Sequence, residues 1–271
     1  MARQLVGDSP RERVLAGAPV TERRLDLAGV STALLEAGDG PPVVLLHGQG
    51  GWAGMWLPVV PDLVRTHRVA APDLPGLGAS TVPGGPPDGA RVLAWLGALV
   101  ERTCPEPPAI VGASLGGAIA ARFAIAHPDR LSRLVLVDTG GLARFLARPS
   151  ERTQRAFLRQ VAVDPARAQA LMGADARAYG LELARAPSVR AANRHLLREL
   201  GTRPIPAEQL AGIAVPTALV WGRRDRVMRL GIAEAASARY GWPLHVVEDA
   251  GHFAVERPEA FRSALRAALG R

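Results

Sequence analysis

Ser114, Asp225 and His252 are the side chains of this sequence whose types, order and surroundings suit nucleophilic chemistry. Ser114 is the centre of Gly112-Ala113-Ser114-Leu115-Gly116, preceded by the apolar run Ala109-Ile110-Val111. A Gly-x-Ser-x-Gly segment between a strand and a helix makes a sharp turn that leaves the serine hydroxyl exposed. That hydroxyl is a poor nucleophile at neutral pH, so it needs a base to take its proton and an acid to orient the base. His252 is the best-placed base, because the loop Glu248-Asp249-Ala250-Gly251 carries it from a strand to the carboxyl edge of a sheet. Asp225 reaches a similar edge through Gly222-Arg223-Arg224, and the chain order becomes Ser, Asp, His. Asp138, at the end of the strand after the Ser114 helix, is the rival acid; the glycine-containing turn gives Asp225 the better reach, while Asp138 equally suits a local loop cap. Acyl transfer also needs amides fixed in advance for the developing oxyanion. Leu115 supplies one at the helix start, and Gln49 the second, with Gly50 as the alternate.

These residues need a sheet whose strands end together. Strand-like runs at 21–27 and 30–37 flank the turn Ala28-Gly29 and predict an antiparallel hairpin. The apolar run 42–46 reads as a buried parallel strand that delivers His47 and Gly48, with His47 pinning the adjoining loop by hydrogen bonds. A helix is predicted over about 52–65, a strand at 67–71, a turn-rich loop at 72–80 and an amphipathic helix at 90–102. The Ser114 strand and helix follow, then a strand at 131–138. For more than 60 residues after Gly140-Gly141 there is no convincing strand, only Arg-rich helical stretches broken at Pro149, Asp164-Pro165, Pro187 and Gly201. Strands at 215–221 and 243–247 resume the pattern, with helices at 230–239 and 258–269. The predicted organisation is a loose tail or short docking segment at 1–20, an α/β core at 21–141 and 207–271, and a helical cap inserted at 142–206.

Composition narrows the partners. With 48% hydrophobic and 21% charged residues the chain is globular. Its net charge of +8 would suggest a nucleic-acid partner, but all 33 basic residues are Arg and no basic run is interleaved with aromatics. The skew reads as coding bias, and no nucleic-acid partner is expected. Residues 142–206 hold 12 Arg against 5 acidic residues, which fits solvated helix faces or an anion-attracting lid. Arg144 and Arg148, with Gly48 and Phe253, are the candidate substrate-binding residues. Cys104 is the single cysteine and suggests no thiol chemistry. Residues 1–13 lack the apolar core of a secretory signal and no 18-residue apolar run is present, so the expectation is a cytoplasmic protein with no membrane partner and no metal, acting on a small molecule, with a homodimer left open.

Taken together, His47-Gly48, Asp73-Leu74-Pro75-Gly76-Leu77-Gly78-Ala79-Ser80, Gly112-Ala113-Ser114-Leu115-Gly116-Gly117, Trp221-Gly222-Arg223-Arg224-Asp225 and Gly251-His252-Phe253 resemble the α/β-hydrolase family over about residues 20–271. The resemblance implies an eight-stranded, mostly parallel α/β sheet flanked by helices, a helical cap after the sixth strand, and no cofactor. Residues 118–142 are also similar to carbon-carbon bond hydrolases of ring-cleavage products, which usually carry Asn before the nucleophile and Trp after the histidine, where Ala113 and Phe253 stand here. The expected activity is hydrolysis of an ester, thioester or lactone through an acyl-enzyme. The alternatives are carbon-carbon bond hydrolysis and, from another class, a non-catalytic ligand receptor on the same scaffold.

Overall fold

The computed structural model describes residues 9–143 and 159–270. Eight strands, β1 (Thr21–Leu27), β2 (Val30–Ala37), β3 (Pro42–Leu46), β4 (Arg68–Pro72), β5 (Ala109–Ala113), β6 (Arg133–Val137), β7 (Thr217–Gly222) and β8 (Leu244–Val247), form one sheet in the order β1-β2-β4-β3-β5-β6-β7-β8. β1 and β2 make the predicted hairpin, β2 pairs antiparallel with β4, and every other pairing is parallel. The helices are α1 (Pro10–Ala16), α2 (Val60–Leu63), α3 (Gly89–Thr103), α4 (Leu115–Ala126), α5 (Pro165–Arg185), α6 (Pro187–Leu196), α7 (Ala207–Ala211), α8 (Leu230–Tyr240) and α9 (Pro258–Ala268).

The sheet is covered on both faces, which is why β3 and β5 are buried at every residue and lack a polar alternation. Successive side chains of β3 go to opposite faces. Val44 and Leu46 join Trp95 of α3 and Phe123 of α4, whereas Val43 and Leu45 join Trp56 and Phe261 of α9. Each such side chain contributes about 1.5–3 kcal/mol by leaving water, so the central strands are the firmest platform the chain offers for a site.

The helix predicted over 52–65 is broken in two. A 3-10 turn, Ala53–Trp56, precedes Pro58, which has no amide to continue the ladder, and Pro61 then sits in the first turn of α2, where no amide is needed. Proline also sets the helices between β6 and β7. Pro165 and Pro187 open α5 and α6, and the Asp164 side chain accepts from the Arg167 amide at 2.9 Å. Gly173, at φ 73°, interrupts α5. The two ends of this excursion meet, since Ile205 N donates to Gly141 O at 2.8 Å.

Within the segment read as a tail or docking segment, α1 is capped reciprocally. Ser9 Oγ accepts from Glu12 N at 3.2 Å, and the Glu12 carboxylate accepts from Ser9 N at 2.9 Å. α1 packs on α5, where Arg13 pairs with Asp175 at 2.8 Å. Among the described residues no helix is long and apolar enough to cross a membrane.

Candidate active site

β5 ends at Ala113 and α4 begins at Leu115, so Ser114 alone makes the turn. Its backbone lies at φ 51°, ψ −111°, a conformation that costs a non-glycine residue about 1–3 kcal/mol and persists only where its neighbours enforce it. Here Ser114 N donates to Val137 O at 2.9 Å, while Gly140 N and Thr139 Oγ1 each donate to Ser114 O at 3.2 Å. The flanking glycines are required by close approach. A Cβ on Gly112 would lie 2.5 Å from Gly116 O, and one on Gly116 would collide with the carbonyls of Leu46 and His47.

His252 Nε2 lies 3.0 Å from Ser114 Oγ, and His252 Nδ1 lies 2.8 Å from Asp225 Oδ2. The Asp225 side chain is fully buried, and its Oδ1 accepts from the amides of Val227 at 2.7 Å and Met228 at 2.8 Å. With both carboxylate oxygens engaged, Nδ1 carries the proton toward Asp225 and Nε2 is left to accept from the serine hydroxyl. The structure therefore brings together the three side chains singled out in the sequence. Asp138 is not a hydrogen-bond partner of the His252 ring, whose nitrogens face Asp225 and Ser114; its Oδ1 accepts from Gly222 N at 2.8 Å.

The Leu115 amide opens α4 beside Ser114, and neither it nor the Gln49 amide meets an acceptor among the described residues. The alternate donor is occupied, since Gly50 N donates to Asn193 Oδ1 of α6 at 2.8 Å. Gly48 abuts the serine, and a Cβ there would be 3.3 Å from Ser114 Cβ. Phe253 packs against Val161, Ala162 and Ala168, and its amide donates to Val161 O at 2.9 Å. Arg144 and Arg148 lie outside the described residues.

His47 is fully buried and bridges two loops, its Nε2 accepting from Leu74 N at 2.9 Å and its Nδ1 donating to Gly48 O at 2.8 Å. That pattern requires the neutral ring, and burial pushes its pKa down, opposed in part by Asp73. Asp73 holds the next loop, accepting from Ala53 N and Ala79 N at 2.7 Å each.

Three residues around the site escaped the sequence reading. Arg11 pairs with Asp73 at 2.9 Å and Glu22 at 2.8 Å, and its guanidinium lies 4.6 Å from the centre of the Trp52 ring. Glu256 is fully buried and accepts from Gly251 N at 2.7 Å, Val163 N at 3.0 Å and Asp164 N at 3.1 Å, so one carboxylate ties the His252 loop to the excursion. Asn193 is the third. Only Arg11 left a readable signal, the Ser9-Pro10-Arg11-Glu12 capping pattern, which marks a helix inside the supposed tail. Among the described residues no group of three or more His, Cys, Asp or Glu side chains is placed to hold a metal ion.

The family model for the alpha/beta hydrolase fold matches residues 41–198, more than half of the chain. The chain belongs to the α/β-hydrolase family. By the esterase and hydrolases among its relatives, it is an enzyme of that family. It is 39% identical over 108 residues to a pimeloyl-[acyl-carrier protein] methyl ester esterase of Aeromonas hydrophila, covering 40% of this hydrolase and 41% of the esterase. It is 29% identical over 268 residues to a 2-hydroxy-6-oxo-6-(2'-aminophenyl)hexa-2,4-dienoic acid hydrolase of Metapseudomonas resinovorans, covering 92% of this chain and 91% of that one. Among solved structures, a 2-hydroxy-6-oxo-6-phenylhexa-2,4-dienoate hydrolase from Rhodococcus superposes with a TM-score of 0.80 at 26% identity, covering 94% of this hydrolase and all of the other chain. The alignment with the esterase spans less than half of either protein.

Proposed function

We propose that this hydrolase cleaves a small-molecule carboxylic ester, thioester or lactone through an acyl-enzyme. The observation that carries the reading is the continuous relay from Ser114 Oγ through His252 to Asp225, with the Leu115 amide beside it. Ser114 Oγ attacks the carbonyl carbon while His252 Nε2 takes its proton, and buried Asp225 steadies the imidazolium. The negative charge moves to the carbonyl oxygen, where the amides of Leu115 and Gln49 receive it. Collapse of the tetrahedral species expels the alcohol or thiol, which takes its proton from His252. Water, deprotonated by His252, then attacks the acyl carbon and releases the acid and Ser114. No cofactor enters these steps, and the reading extends to a substrate met in the cytoplasm beneath a cap formed by residues 142–206.

A second reading is favoured by the similarity to the two dienoate hydrolases, which extends over most of the chain. In carbon-carbon bond hydrolysis the same relay would act on a ketone of a ring-cleavage product, and arginines of the cap would hold the substrate carboxylate. Ala113 and Phe253 favour the ester reading, because they replace the Asn and Trp that flank the serine and histidine of such enzymes.

The test is covalent labelling of Ser114 by a fluorophosphonate together with turnover of p-nitrophenyl esters, lactones and dienoates. Ester or lactone turnover lost in Ser114→Ala is the expected result. Turnover confined to dienoates would replace the first reading with the second, and labelling with no turnover on any member would point to a receptor.

A further inference from the structure

Asp138 is a buried carboxyl group that the proposed relay does not use. It follows β6 in a left-handed conformation, φ 43°, and is held there by Asp138 N donating to Val220 O at 3.1 Å. Its Oδ1 accepts from Gly222 N, in the same turn whose later residue is Asp225. Its Oδ2 is buried and has no hydrogen-bond partner while the group is a carboxylate. The carboxyl group of Asp225 faces it within hydrogen-bonding reach, with both oxygens engaged by Val227 N, Met228 N and His252 Nδ1.

Two ionised carboxyl groups cannot sit side by side, dry and uncompensated, without a proton between them. Among the described residues Asp225 is the ionisable group facing Asp138, and His252 stands beyond it on the far oxygen. The Ala254 amide lies near Asp138 without completing a hydrogen bond to Oδ2, and it favours the charged form, as does Gly222 N. Burial and then the Asp225 charge outweigh both and push the Asp138 carboxyl well above the usual carboxylate range. Asp225 is the acceptor of the pair, because two amides and the imidazole N–H already donate to its oxygens.

We propose that Asp138 is a positioning residue that stays neutral and donates its Oδ2 proton to the Asp225 carboxylate, forming a chain Asp138–Asp225–His252–Ser114. A neutral donor satisfies the orphaned oxygen and fixes the Asp225 plane. It also draws charge from Asp225, so the imidazolium is held less firmly than a bare carboxylate would hold it. The inference rests on the hydrolase reading only for its effect on Ser114; the protonation state stands separately.

The first measurement needs no substrate. An infrared difference spectrum between the parent enzyme and Asp138→Asn at neutral pH should show the carbonyl band of a protonated carboxyl in the parent alone, and its absence overturns the proposal. The second is the pH dependence of fluorophosphonate labelling of Ser114. Asn keeps both functions, its oxygen accepting from Gly222 N and its amide donating to Asp225, so the acid limb of the Asp138→Asn profile should stay within about 0.3 pH unit of the parent. Were Asp138 ionised in the parent, the same variant would remove a negative charge and move the limb about half a unit or more to lower pH, which overturns the proposal. Asp138→Ala removes the donor and should move the limb to higher pH; a profile superimposable on the parent overturns the positioning role. If Asp138→Ala does not fold, the spectrum and the Asn profile decide. If nothing labels Ser114, the infrared band still tests the neutral Asp138 while the hydrolase reading fails by itself.

Discussion

At the scale of single residues, the site consists of side chains whose polar atoms are nearly all accounted for. Ser114→Ala should abolish turnover, by about 10⁶-fold in kcat, while Asp225→Asn should cost about 10⁴-fold by destroying the hydrogen bond that fixes the His252 tautomer; steady-state kinetics on an ester panel measure both. His47 is built to work without a proton. It is neutral when folded, whereas in the unfolded chain it takes a proton near pH 6.5, so the unfolded state binds more protons as the pH falls. Stability is therefore expected to decline below about pH 6.5, with a limiting slope of about 1.4 kcal/mol per pH unit until the folded ring protonates. Urea denaturation across pH 5–8, comparing the parent with His47→Gln, checks this; equal slopes in the two proteins would exclude His47 as the cause. Asp138 works in the opposite direction. Its raised pKa favours folding in acid, and that contribution is lost as pH rises from about 3.9 toward the folded value, so Asp138→Asn should gain stability relative to the parent over this window.

At the scale of elements, the parts legible in the sequence are those with a local cause. The hairpin follows from Ala28-Gly29, and the buried strands follow from runs such as Val43-Val44-Leu45-Leu46. The turn at Ser114 follows from glycines that a side chain would push into neighbouring carbonyls. What stayed hidden depends on partners far along the chain. Nothing near Glu256 announces that its carboxylate gathers amides from residues 163 and 164, and nothing in α6 announces that Asn193 reaches the loop at Gly50. These two contacts join the excursion to both sides of the site, the loop that carries His252 and the loop that carries Gln49 and Gly50. Glu256→Ala would strand three amides, two of them on the excursion, and should cost about 3 kcal/mol or more. Thermal unfolding together with limited proteolysis near residues 159–165 measures the effect, and a variant within about 0.5 kcal/mol of the parent would remove Glu256 from this role.

At the scale of the whole molecule, Arg11 is the residue on which separate parts converge. Its guanidinium joins α1 to β1 through Glu22, to the loop after β4 through Asp73, and to α5 through the Tyr179 hydroxyl at 3.3 Å. It is about 7% exposed and Asp73 is fully buried, so removing the cation leaves a buried carboxylate with two amides and no counter-charge. Arg11→Ala should destabilise the protein by about 3 kcal/mol in chemical denaturation, and Arg11→Lys by less, because an ammonium cannot serve all three partners in one plane. The ends of the excursion that Arg11 helps to hold are tied to each other by a backbone bond, Ile205 N to Gly141 O. A foreign helical segment spliced at that point need not stretch any strand connection, whatever its length. Such a segment would also have to bring its own acceptor for Gly50 N and its own amides for the Glu256 carboxylate, so the ties to the core, rather than the splice point, set what can be exchanged.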